Sequence, residues 1–361
     1  PVPRGQAATP VRDPAVTPVA HTTAALAAPP SVVRAQSADP VSGPPPVPPP
    51  PGAIVPPPGA EPYNCGVVSG PAASPFGFGP CLERGWFRSD HCFDQFISPV
   101  SNPFLFEDPR ALTEARPIFI YQSAPAGNPI FRGGDIEFFG TQFRVALSER
   151  LSFVVNKLGF IWIEPNNPTG EFAAHTGFSE LWLGPKFTFL RNETTETLGA
   201  LGLTFQIPTG PQKVFQNTGD LSLVPYVSLG QNFLRSSYGS FNALGTTGYA
   251  FAVDDRRSEY YFLSFHLDYD IANLHKIYPL IELNWTHYTQ AGGARNLRFE
   301  GRDLINFGAR QVSGNDNLTL ATGLRYKFTE WLQAGIATEW PIVNRKDLLD
   351  FRLTADLIFR Y

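Results

Sequence analysis

Hydrophobic and polar residues alternate along most of the chain from about residue 116 onward. The stretch DFRLTADLIFRY, residues 350–361, shows the pattern clearly. Apolar side chains occupy every second position there, and the positions between them are polar with the exception of Ile358. A two-residue period predicts a β-strand with one face towards an apolar medium and the other towards a polar one. A second protein layer and membrane lipid are the two alternatives for the apolar medium.

The same pattern predicts twelve strands, which are mostly longer than the about five or six residues usual in soluble sheets. A strand that crosses a bilayer at a tilt needs about nine to eleven residues. Residues 297–311 leave two alternatives open, since they could form an extra hairpin above a membrane or raise the strand count to fourteen. The predicted strands are 116–124, 135–147, 151–163, 177–190, 197–207, 220–233, 241–253, 259–270, 277–288, 316–328, 331–341 and 350–361.

The connections between these strands alternate in length. The short ones are 148–150, 191–196, 234–240, 271–276 and 329–330, whereas most of those between them, such as 164–176, 208–220 and 290–317, are longer. Outer-membrane barrels combine short periplasmic turns with long external loops. With twelve strands, both ends of the barrel fall on the short-turn side, which places the N-terminal part of the chain in the periplasm.

Periodicity alone does not distinguish a soluble sandwich from a membrane barrel, but the aromatic residues favour the barrel. They collect at both ends of the predicted strands, as two interfacial girdles require. The predicted fold is therefore all-β, a transmembrane antiparallel up-and-down β-barrel. The girdle positions are Phe153, Phe189, Phe233, Phe241, Tyr269, Tyr278, Phe328, Trp331 and Tyr361 at the short-turn end, and Trp162, Trp285 and Trp340 at the long-loop end.

Charged residues of both signs recur on the polar face, which would be the lumen. In one interpretation they line a pore and set its preference for solutes. In the other they pair across a narrow barrel and fill it, because twelve strands enclose a space between that of filled and of open barrels. The predicted lumen-lining residues are Glu180, Lys186, His266, Asp268, Glu282, Arg325, Lys327, Glu339, Arg352, Asp356 and Arg360.

Two segments precede the predicted barrel, which spans residues 116–361. Residues 1–62 hold more than half of the chain's 36 prolines and no aromatic residue, which predicts an extended polyproline-type tail. Residues 63–115 form a connector rich in cysteine and aromatic residues, expected to pack on one end of the barrel. A short helix is predicted there, with Asp108 as N-cap and Pro109 in its first turn. The start at Pro1 instead of methionine is expected of a chain whose signal peptide has been removed.

The three cysteines are Cys65, Cys81 and Cys92, and an odd number leaves one without an intrachain partner. A disulfide between Cys81 and Cys92 would suit an oxidising compartment. Free thiols and a metal site with His91 are the alternatives, and the metal site lacks a fourth ligand of recognisable spacing.

Enzyme activity and nucleic-acid binding are not expected. The net charge of −4 provides no basic stripe for a nucleic acid. Ser264 lies two residues from His266 on the same predicted face, but no nucleophile elbow accompanies the pair. No metal and no cofactor are predicted.

Two features of the chain resemble known outer-membrane proteins. The C-terminal strand resembles the signal by which the barrel assembly machinery recognises its substrates, here carried by Phe351, Leu353, Leu357, Phe359 and Tyr361. More narrowly, FSELWLGPKFTFL, LGALGLTFQIPTG and LSLVPYVSLGQNF are similar to the outer-membrane transporter family named after the meta-pathway of phenol degradation. Membership would imply an outer-membrane location and passage of small molecules.

The sequence leaves two functions open. The first is a porin-like channel or transporter for small solutes with a narrow or partly plugged lumen. The second is a structural anchor whose tail, residues 1–62, binds the cell wall or a periplasmic partner through polyproline recognition. Membrane lipid is an expected partner in both, and a homo-oligomer remains an alternative to a monomer.

Overall fold

A computed structural model describes residues 87–361, and in this range the chain forms fourteen β-strands and three single-turn 3-10 helices. No helix in this range is long and apolar enough to cross a membrane. The helices are His91–Phe93, Gly170–Phe172 and Gln212–Val214. The strands are β1 Glu114–Ser123, β2 Gly134–Ala146, β3 Leu151–Lys157, β4 Gly159–Pro165, β5 His175–Phe178, β6 Leu181–Asn192, β7 Thr197–Ile207, β8 Ser222–Ser236, β9 Gly239–Ala252, β10 Glu259–Ile271, β11 Ile277–Gln290, β12 Asp316–Lys327, β13 Leu332–Pro341 and β14 Phe351–Arg360.

All strands pair antiparallel with their neighbours, and the sheet closes because β1 pairs with both β2 and β14. β3 and β4 lie end to end along β2 and are separated only at Leu158. β5 and β6 likewise form one position, interrupted at Ser179 and Glu180. The fourteen segments therefore make a closed barrel with twelve strand positions, as the sequence predicts. Closure leaves no unpaired edge.

The two faces of the barrel differ as the alternation predicts. On β10, Leu263 and Phe265 are exposed while Ser264 and His266 are fully buried. Strands β6 and β12 show the same facing, and on β14 Leu357 and Phe359 lie outside. Ile358, the exception in the sequence pattern, is buried inside. The outer surface is thus apolar. The interior holds buried charged and polar side chains together with an apolar cluster that includes Ile118, Ile136 and Phe262.

The aromatic residues predicted for the two girdles point outward with one exception. Phe328 and Trp331 are more than half exposed at the β12–β13 turn, and Trp340 is exposed at the opposite end of β13. Tyr278 was expected in the girdle, and this prediction is wrong. It is fully buried, and the Lys327 ammonium lies 4.6 Å from the centre of its ring.

The described part of the connector, residues 87–113, differs from the prediction. No helix begins at Asp108; the only helical turn in this stretch is His91–Phe93, capped by the Asp90 side chain. The Asp108 carboxylate instead accepts hydrogen bonds from the Arg110 backbone amide and guanidinium. Cys92 is disulfide-bonded. The tail of residues 1–62, Cys65 and Cys81 lie outside the described residues.

The long connection between β11 and β12, residues 291–315, adds no strand to the barrel. Only two isolated bridges form in it, Arg295 with Ala309 and Gly301 with Ile305. Residues 297–311 therefore do not form the predicted hairpin above the barrel or a thirteenth and fourteenth barrel strand. Leu304 and Ile305 are fully buried, and the connection folds back into the barrel.

Candidate functional site

Residues 88–112, called the inner plug below, lie inside the lumen. Their polar groups contact inward side chains on eight strands: β1, β2, β6, β8, β9, β10, β11 and β12. Only a segment within the barrel can reach so much of its circumference. The inner plug begins and ends at the short-turn end, because Ser89 bonds to the Tyr361 carbonyl and Thr113 bonds to Ser89.

The deepest part of the inner plug is held mainly through its backbone. The Glu282 carboxylate accepts hydrogen bonds from the Val100 amide at 2.8 Å and from the Ser101 amide at 2.6 Å. Arg325 Nε donates to the Ser98 carbonyl at 3.0 Å. Irregular backbone has no ladder partners, so its buried amides and carbonyls need side chains of the wall.

Two acidic residues hold the second half of the inner plug, which runs back to the short-turn end and is called its returning half below. Glu107 accepts hydrogen bonds from Arg144 and, at 2.8 Å, from Lys186. Burial would raise the pKa of Glu107, but the charges of Arg144 and Lys186 outweigh burial and lower it. Asp108 behaves similarly: burial raises its pKa, and the neighbouring Arg110 guanidinium lowers it well below its ordinary range. Both groups are therefore carboxylates at neutral pH.

Most of the predicted lumen-lining residues bond to the inner plug or to another side chain that bonds to it. All eleven are buried on the inner face. Lys186, Glu282, Arg325 and Lys327 bond to the inner plug directly. Asp356 bridges Arg325 and Arg116, and Arg360 pairs with Glu114. The interpretation in which lumen charges pair and fill the barrel therefore describes this structure.

His266 lies between two carboxylates in the middle of the barrel. Its Nδ1 is 2.7 Å from Glu282 and its Nε2 is 2.9 Å from Asp268. Acidic side chains therefore engage both ring nitrogens of His266, and neither nitrogen bonds to Ser264. Ser264 accepts a hydrogen bond from Asn102 of the inner plug instead of facing a basic nitrogen. The pair therefore lacks the arrangement of a nucleophile and its general base.

The connection 291–315, called the outer loop below, fills the other half of the lumen. Two predicted lumen-lining residues form ion pairs with the outer loop: Arg352 with Asp303 at 2.8 Å and Glu339 with Arg302 at 3.1 Å. A third, Glu180, pairs with Arg257 and Lys157 beside the loop. The Lys157 ammonium also donates to the Leu304 carbonyl at 2.7 Å. The loop is thus attached to several sides of the wall.

Glu300 organises the outer loop without a cationic partner among the described residues. Its carboxylate accepts hydrogen bonds from the amides of Phe307 and Ala309, both at 2.7 Å, and from the Ser258 hydroxyl. Burial raises the pKa of Glu300 to about 7 against these hydrogen bonds, and the nearby Asp347 charge adds to the rise. The group therefore titrates near neutral pH.

Aromatic rings join the outer loop to the other long connections. Phe307 packs edge-on to Phe215 at 4.9 Å and to Phe299 at 5.7 Å, measured between ring centres. Phe131 and Phe172, from two further connections, complete the cluster. The cluster closes the long-loop end.

The metal site weighed as an alternative for Cys81, His91 and Cys92 does not fit the state of Cys92. Cys92 is disulfide-bonded, so its sulfur is not a thiolate ligand. His91, Asp94 and Glu330 offer ligand atoms within 4.8 Å of one another, but His91 already bonds to Asp94. Nothing else at this position points to a cation.

The sequence predicted the wall of this site and missed what fills it. The one signal for the inner plug in the sequence is charge. Glu107, Asp108 and Arg110 follow an apolar stretch, and a segment that packed against the outside of the barrel would be expected to have uncharged residues there. Their pairing with inward charges on the strands accounts for both sets.

Comparisons with known proteins find similarity in architecture only. No family model matches the chain, and no curated protein does. An outer membrane channel from Pseudomonas putida F1 superposes with a TM-score of 0.49 at 12% identity, covering 74% of this chain and 100% of that one. The NanC porin gives 0.41 at 7% identity over 69% of this chain and 98% of its own. The β domain of the Bordetella autotransporter BrkA gives 0.41 at 10% identity over 70% and 100%.

Proposed function

We propose that this chain is an outer-membrane β-barrel that acts as a porin-like channel or transporter for small solutes, held closed by the inner plug and the outer loop. One observation carries the proposal: an apolar outer face encloses a lumen lined with charges that pair with the chain's own segments. A wall that served only to fill a barrel would bury less charge, because each buried charge carries a desolvation cost.

The location follows from the outer surface. A ring of exposed apolar side chains, Phe139, Leu201, Leu229, Leu263, Phe265, Ile281 and Ile336, would face water on a soluble protein. Lipid would cover it, and the short-turn end then faces the periplasm. The resemblance of 177–190 and its neighbours to the transporter family named after the meta-pathway of phenol degradation agrees with this location. Insertion would use the barrel assembly machinery through the β14 signal.

Passage requires the inner plug to move, and a crosslink tests this. A Cβ built on Gly230 would lie 3.3 Å from Pro109 Cγ, so these two positions adjoin across the boundary between the barrel wall and the inner plug, and cysteines there are chosen to link them. In planar bilayers, the unmodified chain should show brief openings from a closed level. The oxidised Pro109→Cys/Gly230→Cys variant should show none, and reduction should restore them. Each single variant is the matched control.

The structural anchor is the second candidate, because the lumen is filled from both ends. The same experiment separates the two functions. An anchor predicts that neither the unmodified chain nor the reduced double variant conducts under any applied voltage. Openings that persist in the oxidised variant would contradict a plug-gated channel.

A further inference from the structure

We propose that the lumen wall formed by β1, β2, β11 and β12 is a binding site for a looped peptide segment, a role that the inner plug with its turn at residues 101–105 fills in this structure. The class of solute would then be peptides, and this last step rests on the proposed function. The argument depends on how the wall recognises residues 98–103, SPVSNP.

The wall binds this stretch at five main-chain groups. Arg325 donates to the Ser98 carbonyl and Glu282 accepts from the Val100 and Ser101 amides, as described above. Arg116 Nη2 donates to the Pro99 carbonyl at 2.6 Å, and Gln142 Nε2 donates to the Pro103 carbonyl at 2.7 Å. Every peptide offers these groups, whatever its side chains.

Side-chain recognition over the same stretch is sparse. Ser101 Oγ accepts one hydrogen bond from Asn284, and Asn102 donates one to Ser264. The Ser98 hydroxyl bonds to Asp108 within the inner plug, and the Val100 side chain belongs to an apolar cluster with Tyr278 and Leu280 of the wall. The wall therefore selects for a backbone more than for a particular sequence.

Side chains of the wall also donate hydrogen bonds to main-chain carbonyls of the inner plug nearer the short-turn end. Lys327 is buried, and its ammonium donates to the carbonyls of Asp94 and Phe96 without an ion pair to a described carboxylate. Asn242 donates to the Gln95 carbonyl at 3.1 Å, and Thr188 donates to the Pro109 carbonyl at 2.8 Å. A wall that presents donors at these positions fits the repeated carbonyls of a polypeptide, whereas an aromatic solute offers no such series.

Peptide exchange tests the inference with the full-length chain. Protease sites are inserted before residue 87 and between Leu112 and Thr113. The folded protein is cut in detergent with a reductant that opens the disulfide of Cys92, so that the segment stays bound without a covalent link. Labelled synthetic peptides of residues 87–112 then compete for the site. The first variant peptide carries Ser101→Ala and Asn102→Gly, which removes both side-chain hydrogen bonds to the wall. The second carries N-methyl groups on Val100 and Ser101, which removes the two main-chain hydrogen bonds to Glu282.

We expect the side-chain variant to bind within about tenfold of the native peptide, and the N-methylated peptide to bind at least about a hundredfold more weakly, since hydrogen bonds to a charged group are the stronger ones. A peptide that keeps Pro99 and Pro103 but has alanine elsewhere in 98–103 should also bind. Equal binding of the native and N-methylated peptides, release of the native segment on cutting, or equal competition by maltohexaose would overturn the inference. Binding is measured without conductance, so this outcome is independent of the crosslinking test of the channel.

Discussion

Arg144 of β2 binds Glu107 of the inner plug through two parallel hydrogen bonds, from Nε to Oε1 at 2.8 Å and from Nη2 to Oε2 at 3.0 Å. Both side chains are almost fully buried. A bidentate arginine–carboxylate pair fixes orientation as well as distance. It therefore sets the depth at which the returning half of the inner plug lies in the lumen.

Removing the charge of Glu107 should loosen the inner plug. Glu107→Gln leaves Arg144 and Lys186 buried with less compensation, and breaking a buried pair in this way costs about 3–5 kcal/mol. We expect the denaturant midpoint in detergent to fall and openings in bilayers to become more frequent. Glu164→Gln, on an exposed carboxylate at the end of β4, is the matched control and should change neither quantity. An unchanged opening frequency with a lowered midpoint would show that the pair stabilises the fold without gating.

The outer loop should pack more firmly in acid than in base. Because the pKa of Glu300 is raised from 4.5 to about 7, its protonated form favours the packed loop. This contribution to stability is fully present below pH 4.5 and is lost as the pH rises through 7. Asp347, whose pKa burial also raises, acts in the same direction, although Arg345 and Asn317 partly offset it.

Between pH 5 and pH 8 the loss should amount to about 2 kcal/mol, from the size of the pKa shift. Hydrogen exchange at the Phe307 and Ala309 amides, which bond to Glu300, measures it. Exchange should accelerate at pH 8 beyond the intrinsic effect of base. Glu300→Gln should remove most of this extra dependence, and Glu164→Gln, on the exposed carboxylate at the end of β4, should keep it. Extra acceleration of equal size in both variants would assign the pH effect to another group.

The barrel could be predicted from the sequence because each strand repeats one rule. Leu263, Phe265 and Leu267 meet one medium and Ser264, His266 and Asp268 the other, so a two-residue period identifies strand, face and length together. The inner plug follows no such rule. Its backbone partners come from side chains far away in sequence, as when Glu282 bonds to Val100, and no local pattern records them.

Tyr278 and the outer loop show the same limit at single residues. Tyr278 opens β11 at the short-turn end, where an aromatic residue is expected in the girdle, but its position in the register turns it inward over Lys327. Residues 297–311 alternate too weakly to define a face. The position of residues 297–311 is decided by the burial of Leu304 and Ile305 in the lumen. That burial depends on the width of the lumen, which the sequence does not give.

The outer face of β10 provides the most direct test of lipid contact. Phe265 lies at the middle of the strand and is 44% exposed, whereas Ile271 ends the strand and is 37% exposed. An arginine that faces lipid costs about 2–4 kcal/mol at the middle of a bilayer and about 0–1 kcal/mol near its interfaces. Phe265→Arg should therefore lower the free energy of unfolding in lipid vesicles several times more than Ile271→Arg does. In detergent micelles, where arginine can reach water more easily, the two variants should differ less. If both substitutions cost the same in vesicles, water or another protein surface, and not hydrocarbon, would lie against β10.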